Sequence, residues 1–320
     1  MRSWGEKPYH SLDYELKHRF GEKVYKLTLN GGMSCPNRDG KISHGGCIFC
    51  SEGGSGDFAS PAHLSIPEQI QDAKARLGKK RPVNHYIAYF QAYTNTYGPL
   101  AHLRKIFTEA IEDPEILALS IATRPDCLPD EVVALLSELN RKKPVWVDLG
   151  LQTIHQSSAD FIRRGYPLEV FNDAVKRLHA CRIEIITHVI LGLPGESRQM
   201  MLDTVDYLNT LPIQGIKLQL LHVLEGTDLA CYYREHGFAV LKEEEYVSLI
   251  LECVEHLRPD IVIHRITGDG PKDLLIAPLW SSAKRSVLNH IHHEMKLKNS
   301  WQGKYLEEQG GTYGRSTDTL

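Results

Sequence analysis

Three cysteines, Cys35, Cys47 and Cys50, fall inside the stretch "CPNRDGKISHGGCIFC", while the other four stand singly elsewhere. Thiolates are soft metal ligands, and a two-residue separation lets Cys47 and Cys50 reach one metal centre. Glycines in the same loop allow the backbone to fold tightly around such a centre. Three chemistries meet this description. A structural zinc ion wants four ligands, and His44 lies within the loop to be the fourth. An iron–sulfur cubane held by three thiolates leaves one iron open to a non-protein ligand. Unreactive buried thiols are the third reading. The number three favours the cubane, because there the missing protein ligand has a purpose.

The elements around the loop place it at the working end of an α/β fold. "VYKLTLN" reads as a first strand, followed by "HYIAYFQ", "EILALSIAT", "VWVDLGLQT", "IEIITHVILGLPG", "GIKLQLLHV" and a further candidate, "DIVIHRIT". After the first gap they recur every 30 to 45 residues or roughly so, the length of a strand–helix–strand unit. Helix signals fill the intervals. Ser65 and Glu68 stand in capping-box register, and "PDEVVALLSELNRKK" runs from acidic to basic along its dipole. Alternation of this kind implies a parallel sheet with right-handed crossovers. The expected fold is an open, partial (β/α)6 TIM-like barrel with a helical C-terminal extension; a flat doubly wound sheet is the competing architecture. The cysteine loop follows the first strand directly, so it falls where ligand-binding loops of such folds gather. The expected organisation is an N-terminal segment (1–20), a core (21–266) and a C-terminal extension (267–320). In the extension, "GDGPKDLLIAPLW" reads as a loop, then one long polar-basic helix follows, and the tail is expected to fray.

Composition narrows the classes. An apolar share of 42% and a charged share of 24% are ordinary for a globular protein, and a net charge of −3 argues against a uniformly basic coat. No apolar run approaches the roughly 18 residues of a membrane span, and the first twenty residues lack a secretory apolar region. Seven cysteines is an odd number, so a disulfide framework is not expected and a reducing, cytoplasmic setting is.

Taken together, "CPNRDG…GGCIFC", "YFQAYTNTY", "IATRPDCL", "LGLQT…RRGY" and "HVILGLPGES" resemble radical S-adenosylmethionine (SAM) enzymes. The resemblance is to the branch of the elongator catalytic subunit and, more narrowly, to the YhcC/YtqA-type bacterial family. It covers roughly residues 20 to 265. The commonest spacing in the superfamily, C-x3-C-x2-C, is replaced here by C-x11-C-x2-C, a feature of the elongator-like branch. The resemblance implies a [4Fe-4S] cluster on Cys35, Cys47 and Cys50, with SAM at the open iron. It also implies an electron donor such as flavodoxin or ferredoxin. Phe49 matches the aromatic whose backbone lies near the adenine. Gln91, Tyr93, Thr94 and Asn95 replace the glycine-rich segment that holds the methionine amino group. Ala122 stands where relatives carry a ribose-binding glutamate, which turns attention to Thr123. Gln152 and His188 are candidate ribose contacts, Arg164 a candidate for the carboxylate, and Gly192 a support for adenine. Arg124 and Asp126 are read equally as a pair that fixes their own loop. Of the remaining cysteines only Cys127 lies at the functional face, as a weak catalytic candidate.

Analogy with elongator-like relatives implies a transfer RNA substrate, altered at the C5 side chain of a wobble uridine. No acetyltransferase domain of the elongator type is visible, so remodelling of an installed aminomethyl-type side chain is the expected variant. "KRSVLNHIHHEMKLKNSWQGK" (284–304) carries five Lys or Arg, three His and one acid, with Trp301 available for stacking. Lys17, His18, Arg19 and Lys23 are expected to extend that patch. Val287, Leu288, Ile291 and Met295 form an apolar stripe on the same segment. Two other classes stay open: a radical enzyme acting on a small metabolite or peptide, and a non-catalytic zinc-binding RNA module.

Overall fold

The computed structural model describes residues 2–54, 56–78, 83–268 and 270–310. Each β-rich segment of the sequence supplies a strand: β1 (Tyr25–Leu29), β2 (Tyr86–Phe90), β3 (Ile116–Thr123), β4 (Val145–Gln152), β5 (Glu184–Leu191) and β6 (Gly215–Leu220). After a short strand β7 (Val223–Leu224), β8 (Val262–Arg265) completes the main sheet. The order is β1-β2-β3-β4-β5-β6-β8, every pair parallel, so chain neighbours are spatial neighbours. This is a partial barrel, with one strand more than the six expected because "DIVIHRIT" pairs beside β6. The flat doubly wound alternative, which reverses strand order midway, does not apply.

Helices cover the outside: α1 (Leu12–Phe20), α2 (Ile66–Gly78), α3 (Leu100–Glu112), α4 (Asp130–Asn140), α5 (Gln156–Phe161), α6 (Leu168–Ala180), α7 (Arg198–Asn209), α8 (Asp228–His236) and α9 (Glu243–His256). Ser65 and Glu68 form the capping box their spacing predicts, with Ser65 N donating to Glu68 Oε2 at 2.8 Å. The exception to the outer layer is α1. Its Leu16, with Phe20, packs on Ile87, Trp146 and Ile186 and closes the N-terminal end of the barrel. Ile263 N donates to His10 O at 2.7 Å, so the same segment covers the free edge of β8. Lys17 pairs with Asp13 and Arg19 with Glu184, the first residue of β5. These cations therefore sit at the end opposite the cysteine loop, already paired, and do not extend a basic patch there.

Past Thr267 the expected loop contains a strand, β9 (Leu275–Ala277), antiparallel to β7. Three residues carry too little pattern to announce a strand whose partner lies fifty residues away. The basic segment forms α10 (Lys284–Leu297) and then α11 (Lys304–Glu308). Val287, Ile291 and Met295 are buried in the main core and Leu288 partly so, as the apolar stripe requires. Ile291→Ala should destabilise the protein by about 2–5 kcal/mol in urea unfolding, the cost of a buried cavity. An effect near zero would mean that α10 is not docked. Residues 311–320 of the tail lie outside the described residues.

Candidate active site

The cysteine loop is pinned at its centre. Ile48, between Cys47 and Cys50, is buried; its N–H donates to Ile162 O (3.2 Å) and its carbonyl accepts from Leu229 N (2.8 Å). Asn37, 1% exposed, donates through Nδ2 to Arg163 O at 2.7 Å and lies 3.4 Å from Cys47 Sγ. Arg38 donates to the carbonyls of Cys50 and Ser51. On the far side, Tyr93 N donates to Gly54 O and Thr94 N to Ser34 O, which ties the loop to the end of β2. The loop is thus held by β2, by the turn after α5 and by the start of α8. Asn37→Ala should lower cluster retention by roughly 10- to 100-fold, as loss of a supporting partner does at metal sites. Iron and sulfide remaining after gel filtration would measure it; unchanged retention would remove Asn37 from this role.

All three cysteines line one cavity of about 160 Å³ over the C-terminal ends of the strands. Burial pushes the Cys47 thiol up to about 12 and raises Cys50 as well, despite the opposing Arg38 charge. Thiolates in such a place need a strong positive partner, and a metal centre supplies one. A single zinc ion fits poorly. His44 is exposed, packs its ring over Gly40 and does not line the cavity. Among the described residues, no three His, Cys, Asp or Glu side chains converge as one ion requires. Three thiols around a shared space suit a multi-iron cluster.

Most of the sequence candidates meet there. Phe49, Gln91, Tyr93, Thr94 and Thr123 line the cavity on one side, Gln152, Arg164 and His188 on the other. Gln152 is held at φ +65° beside a break in the β4–β5 register and accepts from Tyr166 Oη at 3.3 Å. Arg164, 1% exposed, spends Nε on Tyr166 O and Nη1 on Leu151 O and Thr153 O, leaving Nη2 without a partner among the described residues. Thr123 Oγ1 contacts Thr96 Oγ1. Arg124 and Asp126 pair through two hydrogen bonds (2.9 and 2.7 Å), so they fix their own loop.

Three candidates are not brought to the cavity. Asn95 is fully buried and latches β2 to β3 by donating to Phe90 O and Ala122 O. Gly192, at φ +86°, packs under Leu241, and its N–H faces Met201 Sδ. Cys127 lines a separate cavity with Pro36, Thr96 and Tyr97, and burial pushes its thiol up to about 12. Conversely, Tyr89, Asp148, Lys217 and Arg265 line the cysteine cavity without having been singled out. Their signal was present: a charged residue inside an apolar strand covered on both faces is rarely structural.

Residues 39–208 match the family model of the radical SAM superfamily, and residues 213–297 match that of the Radical_SAM C-terminal domain. The chain belongs to the radical SAM superfamily, whose members use a [4Fe-4S] cluster and SAM. It is 44% identical over 302 residues to the Bacillus subtilis protein YtqA, covering 94% of either chain. It is 24% identical to the tRNA uridine(34) acetyltransferase of Methanocaldococcus jannaschii, over 61% of this chain and 33% of that one. Its fold is that of Methanocaldococcus infernus Elp3 with an N-terminal deletion, at a TM-score of 0.67 and 16% identity, over 90% of this chain and 68% of that one.

Proposed function

We propose that this radical SAM enzyme acts on transfer RNA, altering the C5 side chain of a wobble uridine. The observation that carries the proposal is a run of adjoining cavities that share lining residues. A second cavity is lined by Phe49, Cys50, His222 and Gly270; a third, sharing His222 and Gly270, is lined by Lys272, Lys284 and Arg285 at the start of α10. The cysteine loop thus opens towards basic side chains suited to RNA phosphates. The sequence relation to a tRNA uridine(34) acetyltransferase supports the same reading. The other end of the basic segment supports it less. Lys298 pairs with Glu294, Lys304 with Glu255, and Trp301 Nε1 donates to Glu307.

In this reading Cys35, Cys47 and Cys50 hold the cluster. When bound, cluster and SAM together supply a 5′-deoxyadenosyl radical by one-electron cleavage of the sulfonium. Gln91, Tyr93 and Thr94, just past the end of β2, would hold the cofactor's amino-acid end, with Arg164 Nη2 reaching it from the turn after α5. Gln152 would contact the cofactor from β4, and Phe49 lines both the cysteine cavity and the one beside it. Remodelling of an aminomethyl-type substituent already on the base is the reaction expected.

The test is to incubate cluster-loaded protein, reductant and SAM with bulk tRNA from a strain lacking the gene, then profile nucleosides by mass spectrometry. One nucleoside should disappear in step with 5′-deoxyadenosine formation; an unchanged profile overturns the proposal. SAM turnover indifferent to RNA would point to a small metabolite or peptide. Lys272→Ala and Arg285→Ala should each weaken tRNA binding and lower the slope of log affinity against log salt by about one.

A further inference from the structure

Barrel interiors of this kind are ordinarily filled by branched apolar side chains. Here the layer beneath the strand ends is charged. Asp148 on β4, Lys217 on β6 and Tyr89 on β2 are 1%, 5% and 5% exposed, and all line the cysteine cavity. Lys217 Nζ donates to Asp148 Oδ2 and to Tyr89 Oη, each at 3.0 Å. Lys26 Nζ donates to Ser120 Oγ at 3.1 Å and lies 3.8 Å from the same carboxylate oxygen. Arg265 lines the cavity as well. Well-packed apolar residues would stabilise the barrel at least as well as such an ionic set, so packing does not explain it.

Among the described residues, the buried atoms Asp148 Oδ1 and His188 Nε2 of this cavity make no hydrogen bond and face each other 3.9 Å apart. Gln219 Nε2 approaches His188 Nδ1 at 3.4 Å, which makes Nδ1 the acceptor and leaves the ring proton on Nε2. The cavity therefore offers a ring N–H, an ammonium and one free carboxylate oxygen within a few ångströms.

We propose that this floor is a subsite for a carboxylate of the substrate with an N–H or O–H donor on the adjacent carbon. The carboxylate accepts from Lys217 and His188, and the neighbouring donor meets Asp148 Oδ1. A phosphate dianion would be repelled by Asp148, and a neutral group would leave Lys26 and Lys217 to share the single Asp148 carboxylate. Tyr89 and Lys217 lie two residues below Gln91 and Gln219, about 7 Å down the strands, whereas the cofactor's own amino-acid end belongs beside the cysteines. The inference rests on the proposed function only in taking this cavity as the substrate site, not in the substrate being RNA.

Saturation-transfer NMR on the cluster-loaded, SAM-bound protein tests it, with glycolate as probe and glycolamide as its neutral counterpart. Glycolate should give a signal about tenfold stronger than glycolamide, and Lys217→Met should lose about tenfold of it, the worth of one charge-assisted hydrogen bond. SAM affinity should be the same in both proteins. Equal signals from the two probes, or a Lys217→Met signal like that of the wild type, overturn the proposal. So does a tenfold loss of SAM affinity in the variant, which would assign the floor to the cofactor's own carboxylate. Should Lys217→Met not hold a cluster, the wild-type pH profile decides. Burial pushes Lys217 down to about 7 and lowers Lys26 too, while Asp148 stays ionised, His188 and His264 neutral and Tyr89 protonated; the Arg265 guanidinium faces the same cavity. Glycolate binding should therefore fall as pH rises through about 7, and a flat profile overturns the proposal. Glycolate bound in this way by an enzyme that leaves every tRNA nucleoside intact would remove the RNA reading and keep the subsite; the opposite pair of results would do the reverse.

Discussion

Serine at Cys35, Cys47 or Cys50 is expected to bring 5′-deoxyadenosine formation down to the reagent blank and to leave the protein without bound iron and sulfide. The physical reason is the absence of a substitute. Of the remaining cysteines, Cys127 lines a different cavity, Cys253 is buried on the inner face of α9, and Cys181 and Cys231 lie at the end of α6 and on α8. None can slide into the loop, because Ile48 and Asn37 fix its course from both sides. Losing a ligand should exceed the roughly 10- to 100-fold that losing its supporting partner costs. Cys127→Ser is the matched control, and it should keep both cluster and SAM cleavage. Anaerobic reconstitution with iron and sulfide counting reads the first effect; chromatography of the nucleoside products reads the second. Full-rate cleavage by any one of the three serine variants would end the three-thiolate assignment.

What could be read from residue order follows from what is local. Strands buried on both faces are apolar on both parities, so "VWVDLGLQT" and "IEIITHVILGLPG" announced themselves, and the register of helix caps such as Ser65 with Glu68 is a matter of three residues. The metal loop was legible because thiolate spacing is a short-range constraint. Long-range pairing was not. That Leu275–Ala277 would find Val223–Leu224, or that α1 would close the barrel end and take Arg19 with it, depends on the finished shape. Asn95 shows the same limit from the other side: its place in a polar loop suggested a ligand contact, and tertiary structure spent it on joining two strands. The charged floor was visible as isolated letters, Lys26, Asp148, Lys217 and Arg265, but only the curvature of the sheet brings the last three into one cavity and Lys26 against Asp148.

Asp148→Ala should cost about 3–5 kcal/mol of unfolding free energy in mild acid, because it strips buried Lys217 and Lys26 of their counter-charge. The pH dependence separates this cause from a simple cavity. Burial works to raise the Asp148 carboxyl, but Lys217 and Lys26 outweigh it and hold the group well below its usual value of 3.8. That stabilisation is present above the unfolded value and is lost as pH falls through the folded one, so in acid the wild type descends towards the variant. Lys217 has the opposite relation to its surroundings. Burial lowers it from 10.5 to about 7, so the unfolded chain binds the extra proton between those values and folding gains as pH rises across them. Removing Asp148 lowers the lysine further, so the variant begins that gain below about pH 7, where the wild type is still level, and above about 7 the two rise together. The gap between the two proteins should therefore be widest in mild acid, above the unfolded carboxyl value of 3.8, shrink as pH rises to about 7 and stay nearly level above it. Urea unfolding of the anaerobic, cluster-loaded proteins from about pH 4 to 10 measures it, with Asp148→Asn keeping the shape while removing the charge. A gap that ignores pH, or an asparagine variant as stable as the wild type, would mean that lost volume and not lost charge is responsible.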